Sequence, residues 1–426
     1  MKEKNITVSD IQETPQEEKE VQISIEGESP KRKKAPPTIF QIIKSRFFNR
    51  TVGVILLMTI TTLSVFGWLL YTVISFNPPS STALSKFTED FILPVTLERH
   101  PLTSYGLIEP SEPRIKENPI NGNLLTASEF DEYSDRRPVA VMINNHYAAR
   151  PSSNLQKADI IYETLVESGI TRHMAVFWQN AVTKVGSIRS ARQPYLEWLS
   201  EYDAIYIHDG YASSTDPRIN AGGNIWNYDI HSISTQGAWR DSTRFAPHDE
   251  YSSIAYALDL GEKNGWTGMI SDFAPWKFKN DATSEERGDL DRVDIKFHTR
   301  LTNGGMYDVS WQYQKNTNSL LRSIGGVPDI DLESGDQLRA KTVIIQETSI
   351  IPSGDEKAHV ITRTTGEGDA LIIQDGKVIE GKWEKKSRTS RTRYYNRDGR
   401  ELLINRGLIW VEIISTDDSS FAIIEQ

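Results

Sequence analysis

The 426-residue chain carries 48 Lys and Arg against 58 Asp and Glu, a formal net charge of −10, with 38% hydrophobic and 25% charged residues. That length allows two globular domains plus appendages, and the acidic balance argues against a nucleic-acid partner, which needs a basic face. The absence of cysteine excludes disulfides, thiolate metal sites, cysteine nucleophiles and cysteine-linked lipid anchors.

Residues 1–50 read as a cytoplasmic tail, polar and acidic at first, then basic at Lys31-Arg32-Lys33-Lys34 and closed by Pro36-Pro37. Too few apolar side chains stand in residues 1–37 to offset ordering entropy, which predicts disorder. The basic tetrad suits binding to nucleic acid or anionic lipid, or a topology signal; the charge-free run downstream of it favours the topology signal. The 26 residues from Thr51 to Phe76 contain no charge. As a helix they would reach roughly 39 Å, enough to cross a bilayer with some tilt. Trp68, Tyr71 and Phe76 stand where an aromatic belt would lie. Seven Lys and Arg and no Asp or Glu fall between Lys31 and Arg50. The positive-inside rule therefore predicts a single pass through the plasma membrane, N-terminus in the cytoplasm and globular domains outside. No small-residue cleavage site follows a short apolar core, so the span reads as an uncleaved signal anchor.

Residues 77–123, with Pro78, Pro79, Pro94, Pro101, Pro110, Pro113 and Pro119, read as a spacer with a short helix near 85–93. An α/β domain is expected over 124–285. Its strands are 138–143 (PVAVMI), 158–163 (ADIIYE), 173–178 (HMAVFW), 182–188 and 204–208 (AIYIH), continuous apolar runs suited to a sheet covered on both faces. Helices are expected at 194–202, with Pro in the first turn, and at 247–263. The Gly-, Asn- and Ser-rich stretch 213–244 has little regular pattern and is long enough to suggest a functional loop. A β-rich domain is expected over 286–426, with strands at 293–298, 307–314, 342–347, 370–374, 377–383, 401–405 and 409–414. Asp375-Gly376 between two of these is a type I′ hairpin signal.

Chemistry-bearing residues gather at the strand ends, where α/β proteins usually keep their sites. Arg189 and Arg192, three apart, offer two guanidinium forks to one phosphate or carboxylate. Arg150 and Arg172 end neighbouring segments and could join them, as could Arg240 and Arg244 beside Trp239 in the long loop. The competing expectation is structural pairing of these arginines with Asp159, Glu163, Glu167 and Asp203, since a buried guanidinium needs a partner. Asp159, Glu163 and Asp209 are candidate ligands for magnesium or calcium, or else a turn cap and ion-pair partners. His208 and His248 are candidates for acid/base work, or hydrogen-bonded structural residues, with His146 a weaker one. No histidine pair has zinc-ligand spacing, and no cofactor is expected.

The run PVAVMINNH (138–146), then ARP (149–151), ADIIYE (158–163), GITR (169–172), VGSIRSAR (185–192), EYDAIYIH (201–208), WRDSTRFAPH (239–248) and GKVIEGKW (376–383) resembles the YerB-like family of bacterial envelope proteins. The likeness covers roughly residues 101–414. It implies an α/β N-terminal part and a β-rich C-terminal part, in the cell envelope, and assigns no activity. Many members of that family look like lipoproteins held by an N-terminal cysteine; in this cysteine-free chain the transmembrane segment would take that role. The family's Gly after Arg-Pro is replaced in RPSSNL (150–155), and its small residues after the strand-end His appear as Asp209-Gly210-Tyr211. A more distant likeness is to the LytR-CpsA-Psr family, whose members hold a lipid pyrophosphate with a strand-end Asp and arginines of a following strand, an order of elements similar to Asp159, then HMAVFW, then SIRSAR.

Two functions are expected from these residues. One is an envelope binding or scaffold module whose Arg-rich cleft takes an anionic ligand or an envelope protein. The other is a metal-dependent phosphotransferase or pyrophosphatase acting on lipid-linked pyrophosphate, with Arg189, Arg192 and Asp159 neutralising charge.

Overall fold

A computed structural model describes residues 112–300 and 303–425. The expected tail, the expected span from Thr51 to Phe76 and the helix expected near 85–93 lie outside the described residues. Among the described residues no helix is long and apolar enough to cross a membrane.

In chain order, the strands of the two large sheets are β1 (Val139–Ile143), β2 (Ile160–Glu167), β3 (Ile170–Phe177), β4 (Ile205–Ile207), β5 (Ser232–Ser234), β6 (Leu290–Lys296), β7 (Val309–Gln314), β8 (Ser319–Ile324), β9 (Val327–Pro328), β10 (Arg339–Ala340), β11 (Thr342–Thr348), β12 (Gly366–Gln374), β13 (Lys377–Lys385), β14 (Arg393–Asn396), β15 (Ile409–Ser415) and β16 (Ser420–Glu425). Four short helices accompany them among the described residues: α1 (Ala127–Ser134), α2 (Gln193–Leu199), α3 (Ala221–Asn227) and α4 (Ile254–Lys263). The described residues are therefore mostly β-sheet with few helices.

The larger sheet has ten strands in the order β14-β13-β12-β11-β15-β2-β3-β1-β4-β5. It does not stop at residue 285. Strand β15 lies parallel to β2, with Ile409 opposite Ile160 and Glu412 opposite Glu163, so the two expected parts share one continuous sheet. The cause is visible in β15 itself: all seven residues of IWVEIIS are buried, which suits only a central strand flanked on both edges. One face of the sheet packs against α2 and α3, through Tyr195, Leu196, Trp198 and Ile225. The other face packs against α4 and a smaller sheet of order β9-β8-β7-β6-β16, with β10 paired to β8.

Most expected strands are found, and the Asp375-Gly376 hairpin forms with positive φ of 54° and 67° at its two residues, as a type I′ turn requires. Four differences have physical causes. The helix expected from 247 begins at Ile254, where Ser253 caps it by accepting from Tyr256 N, because Glu250–Ser252 is drawn into a strand against Val185–Gly186. The strand expected over 182–188 is only Val185–Gly186, since the chain beyond it crosses strand ends. Strands β8 and β16 were not expected: β8 mixes buried and half-buried positions, and β16 lies at an edge with four of its six residues exposed. The last part of the expected spacer belongs to the fold, with Asn118, Ile120 and Asn121 buried against the strand ends.

Candidate anion-binding site

Strands β1 and β4 are parallel neighbours, Val139 opposite Ile205 and Val141 opposite Ile207. Their carboxyl ends deliver Asn144-Asn145-His146 and His208-Asp209 to one edge of the sheet. Residues 185–192 are laid across those ends by backbone hydrogen bonds. Asn144 N donates to Ser187 O at 2.9 Å, Arg189 N to Met142 O at 2.9 Å, Asp209 N to Arg189 O at 3.1 Å and Ala191 N to Gly210 O at 2.9 Å. Ile188 faces the core, which turns its neighbour Arg189 the other way.

Five of the six expected arginines are used by the protein itself. Arg192 binds Glu167 with two parallel bonds of 2.8 Å, and Arg172 reaches the same carboxylate at 2.9 Å. Burial would raise Glu167, but the two guanidinium groups outweigh it and hold the carboxyl below its ordinary range. Burial pushes Arg172 down to about 10. Arg150 donates to Asn145 O and to Met306 O, and lies over the Tyr307 ring. Arg244 donates to Arg150 O and Pro151 O, clamping its loop onto 149–151. Arg240 pairs with Asp249 and Glu250. Arg189 and Arg192 therefore do not form the paired fork that their spacing suggests. The Arg189 side chain, half-buried, has no hydrogen bond or ion pair to any described residue.

Beside Arg189 stand two stacked imidazoles, His146 and His248, with ring centres 4.7 Å apart and planes at 12°. Their tautomers follow from their partners. Asn144 Oδ1 accepts from His146 N at 3.0 Å, so its amide nitrogen is the group that donates to His248 Nδ1 at 2.9 Å. His146 Nδ1 accepts from Ala148 N at 3.2 Å. In the neutral ring each then carries its proton on Nε2, and neither Nε2 is bonded to a described residue. Partial burial lowers both histidines, and Arg189 lowers them further. A guanidinium and two Nε2–H groups, with no acceptor of their own, form a cluster of unengaged donors.

The other expected site residues are placed differently. His208 Nδ1 donates to Gly210 O at 2.7 Å and its Nε2 accepts from Ser232 Oγ at 2.8 Å. Both nitrogens are thus engaged within the fold, and burial pushes the ring down to about 4. Asp209 stands beside Glu250, whose carboxyl is pushed up by burial and by that neighbour. Asp159 is fully buried, accepting from Asn118, Asn121, Trp178 N and Gln179 N. Burial raises it to about 6 even so. Glu163 is also fully buried, accepting from Asn145, Thr171 and Arg322 with His173 beside it at 3.0 Å.

Asp159, Glu163 and Asp209 thus do not meet around an ion. Asp159 lies at the Val139 end of the sheet, roughly 15 Å along the strands from Asn144, and Glu163 is sealed in the core. No three His, Asp or Glu among the described residues group as a metal site. His146 is more central than its sequence context suggests; the available signal was a strand-end motif, NNH, and a loop motif, APH, each closing on a histidine.

The fold and this site define a mixed-sheet protein with a donor-rich site at the ends of two parallel strands. The chain belongs to the YerB-like family. Residues 125–267 match the N-terminal domain, and residues 297–411 the C-terminal domain, of a family described as protein of unknown function (DUF3048). The chain is 30% identical over 291 residues to the Bacillus subtilis (strain 168) protein named "Putative lipoprotein YerB", covering 67% of this chain and 84% of that one. The crystal structure of YerB from Bacillus subtilis matches with a TM-score of 0.61 at 26% identity, over 72% of this chain and all of that one.

Proposed function

We propose that the protein is a membrane-anchored extracytoplasmic binding module of the bacterial envelope, and that it captures an anionic ligand at Arg189. The observation that carries this is the donor cluster: the Arg189 side chain has no partner among the described residues, while its neighbours Arg172 and Arg192 are consumed by Glu167. A half-buried guanidinium beside two imidazole N–H groups repels cations and has unmet capacity for a phosphate or carboxylate. The lipoprotein name of the Bacillus subtilis relative supports the envelope location. Nothing in the geometry favours the phosphotransferase reading, which requires Asp159 and Arg192 beside Arg189; the first lies at the far end of the sheet and the second is held by Glu167.

The test is calorimetric titration of the detergent-purified full-length protein with inorganic pyrophosphate. Binding that weakens on Arg189→Gln and is unaffected by Arg218→Gln, on the exposed 213–244 loop, supports the proposal. Equal binding by all three proteins, or none, refutes it. Topology is tested separately: protease added to intact cells should remove residues 112–425, and protection until lysis would refute the external placement.

A further inference from the structure

The surroundings of Arg189 carry more than charge. Tyr147 is 55% exposed, and its ring leans on His146 with centres 4.2 Å apart and planes at 35°. Phe245 is 88% exposed on the short loop held over 149–151 by Arg244; that loop turns back through His248 N donating to Phe245 O at 2.8 Å. A phenylalanine this exposed, on a loop anchored beside a polar cluster, contributes nothing to the core of the described residues. Asp209, half-buried, is joined to Arg189 through the backbone, its N donating to Arg189 O at 3.1 Å. The site therefore combines three chemistries: two exposed aromatic faces, the half-buried Asp209 carboxyl, and a guanidinium with no partner among the described residues. Free phosphate needs only the last. Stacking faces match the C–H side of a pyranose ring, carboxyl groups match vicinal hydroxyls, and the guanidinium matches one anionic substituent.

We infer that the ligand captured at Arg189 is an anionic sugar, with its ring against Tyr147 and Phe245, its hydroxyls toward Asp209, and its phosphate or carboxylate on Arg189. The inference rests on the anion-binding reading above and adds to it the class of molecule that carries the charge.

Detergent-purified full-length protein is titrated calorimetrically with α-D-glucose 1-phosphate, D-glucuronate, D-glucose and inorganic phosphate. At least one of the two anionic sugars should bind about tenfold more tightly than inorganic phosphate, and whichever does so identifies the anionic group. Arg189→Gln should weaken that binding by about tenfold or more, the worth of a charge-assisted hydrogen bond. Tyr147→Ala/Phe245→Ala, at two exposed positions where folding is not at stake, should abolish the sugar's advantage over inorganic phosphate. Inorganic phosphate binding as tightly as both anionic sugars, in an Arg189-dependent way, would overturn the sugar inference and leave the anion site standing. Glucose binding as well as either anionic sugar would also overturn it. Failure of every anionic probe to bind in an Arg189-dependent way would overturn both readings together.

Discussion

Replacing Arg322 by methionine should cost the fold about 3–5 kcal/mol, the usual penalty for removing one partner of a buried ion pair. Arg322 comes from the smaller sheet and is fully buried against the larger one. It donates to Asp329 and, at 2.6 Å, to Glu163 Oε2, and lies 4.6 Å over the Trp410 ring. Methionine keeps the apolar contact with Trp410 but strands two carboxylates in the core. Glu163 and Glu412 face each other on adjacent parallel strands and cannot both be charged. Burial raises Glu163, yet Arg322 and His173 outweigh it and hold its carboxyl far below the ordinary 4.5. Burial and the Glu163 charge push Glu412 far above that value. The proton therefore sits on Glu412.

That asymmetry makes the prediction sharp. Glu412→Gln replaces a group that is already neutral and should cost less than about 1 kcal/mol, whereas Glu163→Gln removes the charge that Arg322 needs and should cost about 2–3 kcal/mol. Arg322→Met combined with Glu163→Gln should be less damaging than the sum of the two by at least about 1 kcal/mol. Urea unfolding at pH 7, followed by tryptophan fluorescence, measures all four variants, since Trp311 and Trp410 line the network. The reasoning fails if Arg322→Met lies within about 1 kcal/mol of the parent, or if Glu412→Gln is as costly as Glu163→Gln. With pH the signs oppose: a depressed Glu163 stabilises the fold above 4.5 and loses that contribution as pH falls further, while a raised Glu412 stabilises it below 4.5 and loses that as pH rises toward its own folded value.

His208, lowered from 6.5 to about 4, stabilises the fold fully above pH 6.5 and loses that contribution as pH falls toward 4, a change of about 3 kcal/mol. His208→Gln should flatten this slope when urea unfolding is compared at pH 7.5 and pH 5; an unchanged slope would contradict the assignment. Asp159→Ala should release the segment around Asn118 and Asn121, since it removes the acceptor of four N–H groups and costs about 2–4 kcal/mol. Hydrogen exchange localises the effect: protection should fall first between residues 116 and 125, and uniform loosening would count against the anchor role. Arg192→Lys replaces a two-bond fork by a point charge. It should lower the thermal midpoint while leaving any ligand affinity at Arg189 within about twofold, because Arg192 is spent on Glu167.

The sequence alone determined the elements whose signals are local. The runs at 138–143, 158–163, 173–178 and 409–414 are apolar without interruption, and only a strand covered on both faces buries such a run. Asp375-Gly376 named its own turn because few residues tolerate two successive positive φ values. The motif blocks also sufficed to place the chain in its family. What the sequence left open is which charge meets which. Arg189 and Arg192 look equivalent in SIRSAR, and nothing local says that Glu167, 25 residues from Arg192, takes that side chain and leaves its neighbour free. Glu163 reads as a possible metal ligand until Arg322, 159 residues away, arrives through the packing of one sheet on another. The continuous sheet likewise needed β15 to settle beside β2, a pairing decided by which strand offered a buried edge. Long-range pairing of charges and strands is chosen by total burial over the whole fold. No window of sequence contains that quantity, so both the core network and the donor cluster at Arg189 emerged only when the strands were assembled.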